Sequence, residues 1–203
     1  MPLRALVLNC TLKPSPEASN TEALAAVLSA ALEAGGVTCE TIRVVDKNVL
    51  PGVSSDEGEG DEWPAIHAKL LASEILVLAT PTWLGQPSSV VKRALERMDA
   101  MLSETDEDGV PVAFNRVAGF VVTGNEDGAH HVIAELAQAV NDIGYTVPAQ
   151  AWTYWNKGPG PGPTYLETDE GHDWSAKTAR TAAGNLIAAA EALASHPLPK
   201  PPG

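Results

Sequence analysis

Short unbroken apolar runs alternate with helix-period stretches along nearly the whole chain. Residues 75–79 (Ile75-Leu76-Val77-Leu78-Ala79) and 117–122 are such runs, and residues 3–9 hold a shorter one, Ala5-Leu6-Val7-Leu8. Continuous apolar sequence of this length is what a strand buried on both faces needs. Residues 38–45 and 146–151 read as two further strands. Between the runs, Leu24, Val27, Leu28, Ala31 and Leu32 recur at helical spacing after Asn20-Thr21-Glu22, and Gly35-Gly36 stops the pattern. Residues 63–73, 88–101 and 129–143 read as helices. Ala179, Ala183, Leu186, Ile187, Ala190 and Leu193 mark a last one. Residues 51–62 read as a loop by composition, and 80–87 and 123–128 as turns.

Strand and helix thus alternate about five times, which calls for a parallel sheet with helices on both faces. The expected architecture is α/β: a flavodoxin-like three-layer sandwich whose five-stranded parallel sheet has order 2-1-3-4-5. One domain over residues 1–195 accommodates it, with a proline-rich tail at 196–203 expected to fray. Composition agrees: of 203 residues 44% are hydrophobic and 19% charged, the balance of a globular protein rather than a disordered one. Thirteen Lys and Arg against 26 Asp and Glu leave a net charge of −13, so no basic footprint exists for nucleic acid or an anionic membrane. The two cysteines, Cys10 and Cys39, are too few for a disulfide framework or for an all-cysteine metal cluster within one chain. With no secretory or membrane-spanning segment in view, the cytoplasm is the expected compartment.

In such a sheet, ligands bind beyond the carboxyl ends of the strands where the strand order reverses, here between strands one and three. Three loops face that point. The first, residues 9–21, ends at Ser19-Asn20-Thr21, where the free N–H groups of a helix start join hydroxyl and amide donors. That composition suits a phosphate, and it equally suits a plain helix cap. The second runs Ala79-Thr80-Pro81-Thr82-Trp83-Leu84-Gly85-Gln86-Pro87, and the third Thr123-Gly124-Asn125-Glu126-Asp127-Gly128-Ala129-His130. Gly85, Gly124 and Gly128 let the backbone come close to a flat ligand.

Taken in order, the Ser-Asn-Thr loop, Pro-Thr-Trp-x-Gly leading into a helix with Lys92-Arg93, and Thr-Gly-Asn-x-Asp-Gly resemble the flavodoxin-like NAD(P)H-dependent FMN reductase family over residues 3–150. The pattern is also similar to the flavin domain of the iron–sulfur flavoproteins, without their cluster cysteines, and more distantly to quinone reductases of the same fold. The resemblance implies bound FMN, with NADPH or NADH as co-substrate. It implies that Thr11, Lys13, Ser19, Asn20 and Thr21 surround the phosphate. Pro81, Thr82, Trp83, Leu84 and Gly85 would line the ring and ribityl chain. Thr123, Gly124, Asn125, Asp127 and Gly128 would hold the ring's pyrimidine edge, with His130 at the flavin edge or substrate. Trp83 and the backbone N–H of Gly85 are the expected catalytic contributors, the latter as a donor near flavin N5. The first loop departs from the compact form of the family by its length and by Pro14 and Pro16.

The activity so implied is hydride transfer from a nicotinamide nucleotide, followed by electron transfer to a small acceptor such as a quinone, flavin or nitroaromatic. The alternative is a flavodoxin-type electron carrier that binds FMN without oxidising NAD(P)H. A third reading is a nucleotide or phosphosugar binder that shares only the fold. The aromatic stretch Trp152, Tyr154 and Trp155 fits a pocket wall and a subunit interface equally, and the family resemblance implies a homodimer or higher homo-oligomer. No metal is expected: His130 and His131 are adjacent, point about 100° apart on a helix, and have no third ligand nearby in sequence.

Overall fold

The computed structural model describes residues 2–158 and 162–202. Five parallel strands lie in the order β2-β1-β3-β5-β6, formed by β1 (Arg4–Asn9), β2 (Thr38–Arg43), β3 (Ile75–Trp83), β5 (Val117–Gly124) and β6 (Trp152–Asn156). A two-residue strand, β4 (Gln86–Pro87), folds back antiparallel on the end of β3. This is the flavodoxin-like sandwich expected from the alternation, with the small β4 added.

The strand period of two assigns each side chain to a layer. Ala5 and Val7, Ile75, Val77 and Ala79, and Val117 and Val121 face α1 (Asn20–Ala34) and α5 (His172–Ser195). Leu6 and Leu8, Leu76 and Leu78, and Ala118, Phe120 and Val122 face the other layer, formed by α2 (Trp63–Leu71), α3 (Ser89–Met98) and α4 (Ala129–Ile143). Alternation on strands that are apolar on both faces thus builds two cores on one sheet.

One strand lies elsewhere than expected. Residues 146–151 contribute only a single bridge, Thr146 to Val117, and the strand beside β5 is β6, six residues later. Pro148 has no N–H to give to a ladder, and Gln150 turns the chain with φ 51°. Pairing can therefore resume only at Trp152. The 80–87 segment is likewise not all turn, because β3 runs on through Trp83 before the hairpin. The 88–101 helix ends at Met98 and tightens into a 3₁₀ turn over Asp99–Leu102, and α5 begins at His172, earlier than its apolar pattern indicates.

The loop between β2 and α2 is held down rather than merely solvated. Asp61 and Arg97 have side chains with no accessible surface and pair at 2.7 Å. The Arg97 guanidinium also donates to the carbonyls of Leu50 and Ser54, both at 2.9 Å. Beyond His196, which closes the end of α5, the described part of the proline-rich tail is tied down where Leu198 N–H donates to Asn115 Oδ1 and Lys200 Nζ to Asp108 O. The central residues of the Gly-Pro stretch at 158–163, expected to be a shaped loop, lie outside the described residues.

Candidate functional site

The carboxyl ends of β1, β3 and β5 and the segment after β6 surround a cavity of about 240 Å³. Thr11, Lys13 and Asn20 line it from the first loop. Pro81, Thr82 and Trp83 line it from the end of β3, and Thr123, Gly124 and Asn125 from the end of β5. Nine of the residues expected at the site therefore meet where the strand order reverses.

The first loop is organised by its own polar groups. Asn9 Oδ1 accepts from Thr11 N–H at 3.2 Å, and Thr11 Oγ1 accepts from Lys13 N–H at 3.3 Å. Arg43, its side chain only 8% exposed, pairs with Glu22 and donates from its guanidinium to the carbonyls of Lys13 and Glu17. Arg43 thus works as an internal brace for the loop. Ser19 acts as the helix cap, its hydroxyl accepting from Glu22 N–H at 3.2 Å. Thr21 points inward, and its hydroxyl lies 2.8 Å from that of Thr123, both residues being buried. Neither Ser19 nor Thr21 lines the cavity. They position the two elements that do. The first-turn N–H groups of α1 are ones a helix leaves unpaired by construction, and they open at the Asn20 end.

At the second loop, Leu84 and Gly85 take φ of 53° and 71°, the mirror-image turn that suits a two-residue hairpin. Gly85 N–H, expected to face flavin N5, donates to Glu126 Oε1 at 3.3 Å. Gly128 (φ 112°) comes so close that a Cβ there would sit 2.7 Å from Gly85 Cα. The hairpin is therefore laid against the third loop; Gly128 allows that contact, and Gly85 allows the turn. Gly124 is equally constrained, since a Cβ would collide with Thr82 Cγ2. Leu84, Gly85, Asp127 and Gly128 lie outside the cavity lining, with Leu84 91% exposed. His130 also lies outside it. Its ring packs edge-on to Trp152 and Tyr154, with centroids 5.7 and 5.1 Å away. The start of α3 is tied in by Ser88, whose N–H donates to Thr80 Oγ1 at 3.1 Å and whose hydroxyl donates to Cys10 O at 2.8 Å.

Three lining residues, Leu12, Thr164 and Tyr165, were not expected from the sequence, while Trp155 takes the pocket-wall alternative offered for the aromatic stretch. Strand alternation divides the aromatic stretch, sending Trp155 to the cavity and Trp152 and Tyr154 to the other face. Thr164-x-x-Glu167 is a capping box, and that local signature was the one sequence signal for the turn that follows β6.

Cys10 is fully buried, its thiol donating weakly to Leu8 O, and burial pushes its pKa far above the usual thiol range. A reactive thiolate beside the cavity is therefore excluded. Among the described residues no group of three or more His, Cys, Asp or Glu side chains could hold a metal ion. No described helix is long and apolar enough to cross a membrane.

The donor set fits a flavin phosphate. One end of the cavity offers a lysine, a threonine hydroxyl, an asparagine amide and a helix N-terminus, the mixture that holds a phosphate. The lining also includes the aromatic side chains of Trp83, Trp155 and Tyr165. Thr82 Oγ1 is buried without a partner among the described residues, a polar group at the cavity wall that the protein itself leaves unsatisfied.

Fold and site together define a flavodoxin-like protein with its cavity at the topological switch point. Residues 3–160 match the family model of NADPH-dependent FMN reductases, and the chain belongs to that family. FMN and NADPH, implied by the sequence resemblance, are the family's cofactor and co-substrate. The chain is 36% identical over 176 residues to the 8-demethyl-8-aminoriboflavin-5'-phosphate synthase of Streptomyces davaonensis, covering 82% of this chain and 68% of that protein. It is 43% identical over 173 residues to the divalent metal cation transporter MntH of Mycobacterium bovis, a match over 83% of this chain that spans only 25% of that protein. Among solved structures, RosB with the bound intermediate 8-demethyl-8-formylriboflavin-5'-phosphate superposes with a TM-score of 0.88 at 34% identity, covering 97% of this chain and 82% of that one. An NAD(P)H:quinone oxidoreductase from Methanothermobacter marburgensis, at 16% identity, TM-score 0.58 and coverage of 92% and 100%, shares the fold.

Proposed function

We propose that this chain is an FMN-dependent oxidoreductase that takes a hydride from NADPH or NADH and passes electrons to a small acceptor such as a quinone, flavin or nitroaromatic. The observation that carries the reading is a cavity at the strand-order switch point whose lining combines phosphate-suited donors with aromatic side chains. Bound FMN supplies the hydride and electron chemistry. The chain's own residues bind and orient. Lys13, Thr11 and Asn20 would hold the phosphate with the α1 N-terminus, and the aromatic side chains of Trp83, Trp155 and Tyr165 would offer flat apolar surface to the flavin. The test is the visible spectrum of the protein with FMN under anaerobic conditions. Bleaching by NADPH or NADH is the expected result. Bleaching by dithionite alone returns the electron-carrier reading, and no bound flavin overturns both.

A second reading is favoured by the similarity to RosB, whose structure holds a modified riboflavin-5'-phosphate as an intermediate. Under it the flavin phosphate is a substrate that leaves altered. Mass spectrometry of flavin recovered after turnover separates the two, since a resident cofactor comes back unchanged. The homo-oligomer is likewise a proposal. It is supported by the aromatic ladder of Trp152, Tyr154 and Trp174 beside the edge strand β6, and sedimentation tests it.

A further inference from the structure

A 3₁₀ turn, Tyr165–Glu167, stands beside the cavity and lies beyond residues 3–160, over which the chain matches its family model. Thr164 and Tyr165 line the cavity with Asn20. Leu166 N–H donates to Asn20 Oδ1 at 3.0 Å. A backbone N–H can only donate, so the Asn20 amide has to face the turn with its oxygen. Its Nδ2, which makes no hydrogen bond to a described residue, is thereby left as the donor of a side chain that lines the cavity. Without that contact the amide can rotate, and either of its two polar atoms can meet a ligand.

The turn is held from two sides. The Glu167 carboxylate accepts from Thr164 N–H at 2.8 Å and from Thr164 Oγ1 at 3.0 Å, which closes the capping box. From the core side, Tyr165 is buried, stacks on His172 at 4.0 Å and meets Trp155 edge-on at 5.7 Å. His172 Nε2 lies 2.9 Å from the Tyr165 carbonyl. The hydrogen bonds from Thr164, and after them the charge of nearby Lys13, hold the Glu167 carboxyl below the ordinary carboxylate range. Lys13 itself lines the cavity and donates to Ala18 O at 3.2 Å.

We propose that Glu167 is a positioning residue: by holding the turn it presents Leu166 N–H to Asn20, and so fixes the Asn20 amide as a donor to the phosphate of the ligand. The proposal rests on the reading of the cavity as a flavin phosphate site. Its consequence is opposite in sign to that of charge alone. Glu167 is an anion near Lys13, so by Coulomb's law its removal strengthens the hold on a phosphate. As a positioning residue, its removal weakens that hold.

Isothermal titration of the full chain with FMN and with riboflavin reads the contribution of the phosphate, as the ratio of the two dissociation constants. Glu167→Ala is expected to lower that ratio about fivefold while riboflavin affinity stays within about twofold. Glu167→Gln keeps an acceptor for Thr164 and should bring the ratio back to within about twofold of the wild type. In an Asn20→Ala background Glu167→Ala should lower the ratio no further, because the group it positions is gone. Hydrogen exchange of the Leu166 amide should speed up in both single alanine variants. Circular dichroism checks folding. If Glu167→Ala does not fold, Asn20→Ala decides, with an expected fall in the ratio of about tenfold and faster exchange at Leu166. A ratio that holds or rises in folded Glu167→Ala, a fall that persists without Asn20, or a wild-type ratio in Asn20→Ala overturns the proposal and leaves the flavin reading intact. Failure of the wild type to bind FMN overturns the flavin reading and the proposal with it.

Discussion

Replacing Asp61 by Asn removes one charge while preserving shape, at the most densely bonded point of the loop between β2 and α2. Asp61 Oδ2 accepts from Arg97 at 2.7 Å and from Glu57 N–H at 3.0 Å, and Oδ1 accepts from Leu50 and Trp63 N–H groups at 3.3 and 3.1 Å. An amide can accept at only one of its two atoms. Whichever way it turns, its NH₂ faces two donors, and Arg97 keeps a buried charge with no counter-ion. Breaking a buried pair from one side costs about 3–5 kcal/mol, and the lower end, about 3 kcal/mol, is expected here. The Arg97 hydrogen bond is the main reason Asp61 is held well below the ordinary carboxylate range. Its contribution is therefore complete above the unfolded pKa near 3.9 and is lost as pH falls toward the folded value. At pH 3 the unfolded chain already gains about 1.3 kcal/mol by protonating this one group. Urea unfolding followed by tryptophan fluorescence should thus show Asp61→Asn about 3 kcal/mol less stable at pH 7, with the gap narrowing by roughly 1 kcal/mol at pH 3. A gap under about 1 kcal/mol at pH 7, or one that stays constant down to pH 3, refutes the argument.

Thr21→Val removes one hydroxyl of the buried Thr21–Thr123 pair and strands the other. It should cost about 1–2 kcal/mol in urea unfolding and weaken FMN binding by roughly tenfold in a fluorescence titration. Gly124→Ala pushes a methyl into Thr82 Cγ2, so FMN binding should fall, and adding Thr82→Ser, which removes that methyl, should restore most of it in a double-mutant cycle. Trp83 is 55% exposed, so Trp83→Ala should leave stability within about 0.5 kcal/mol while lowering FMN affinity about tenfold. Cys39 is pushed up to about 11, chiefly by burial, and Cys10 higher still; neither should be alkylated quickly by iodoacetamide at pH 7.5 in the native state, in contrast to the urea-unfolded chain.

What could be read in advance follows the range over which each interaction acts. Strands β1, β3 and β5 are legible because burial on both faces leaves an unbroken apolar run. Strand β6 is not, because its alternating aromatics belong to two layers, and Pro148 and Gln150 decide only in three dimensions where pairing can resume. The three loops are legible because each follows its strand directly, and the strand ends bring them together. The fourth wall is hidden: Leu166 reaches Asn20 across 146 residues, and no local pattern announces a partner at that distance. The same holds for the Asp61–Arg97 pair, separated by 36 residues, which gives a stretch that reads only as a loop by composition a buried anchor.

The two ends of the cavity are built to different stiffness. At the phosphate end, the buried Thr21–Thr123 pair, the Ser19 cap and the enclosed Arg43 brace fix donors before any ligand arrives, so binding there pays little ordering cost. At the ring end, the β3–β4 hairpin is held by Gly85 N–H on Glu126 at 3.3 Å and by Gln86 against His131 at 3.1 Å, with Trp83 and Leu84 left in solvent. A long hydrogen bond to an accessible carboxylate is weak and exchanges readily with water. A ligand that offers Gly85 N–H a better acceptor can therefore take it from Glu126 and shift the hairpin without disturbing the phosphate grip. Under the FMN reading, affinity is then set chiefly at the first end and the choice of acceptor at the second.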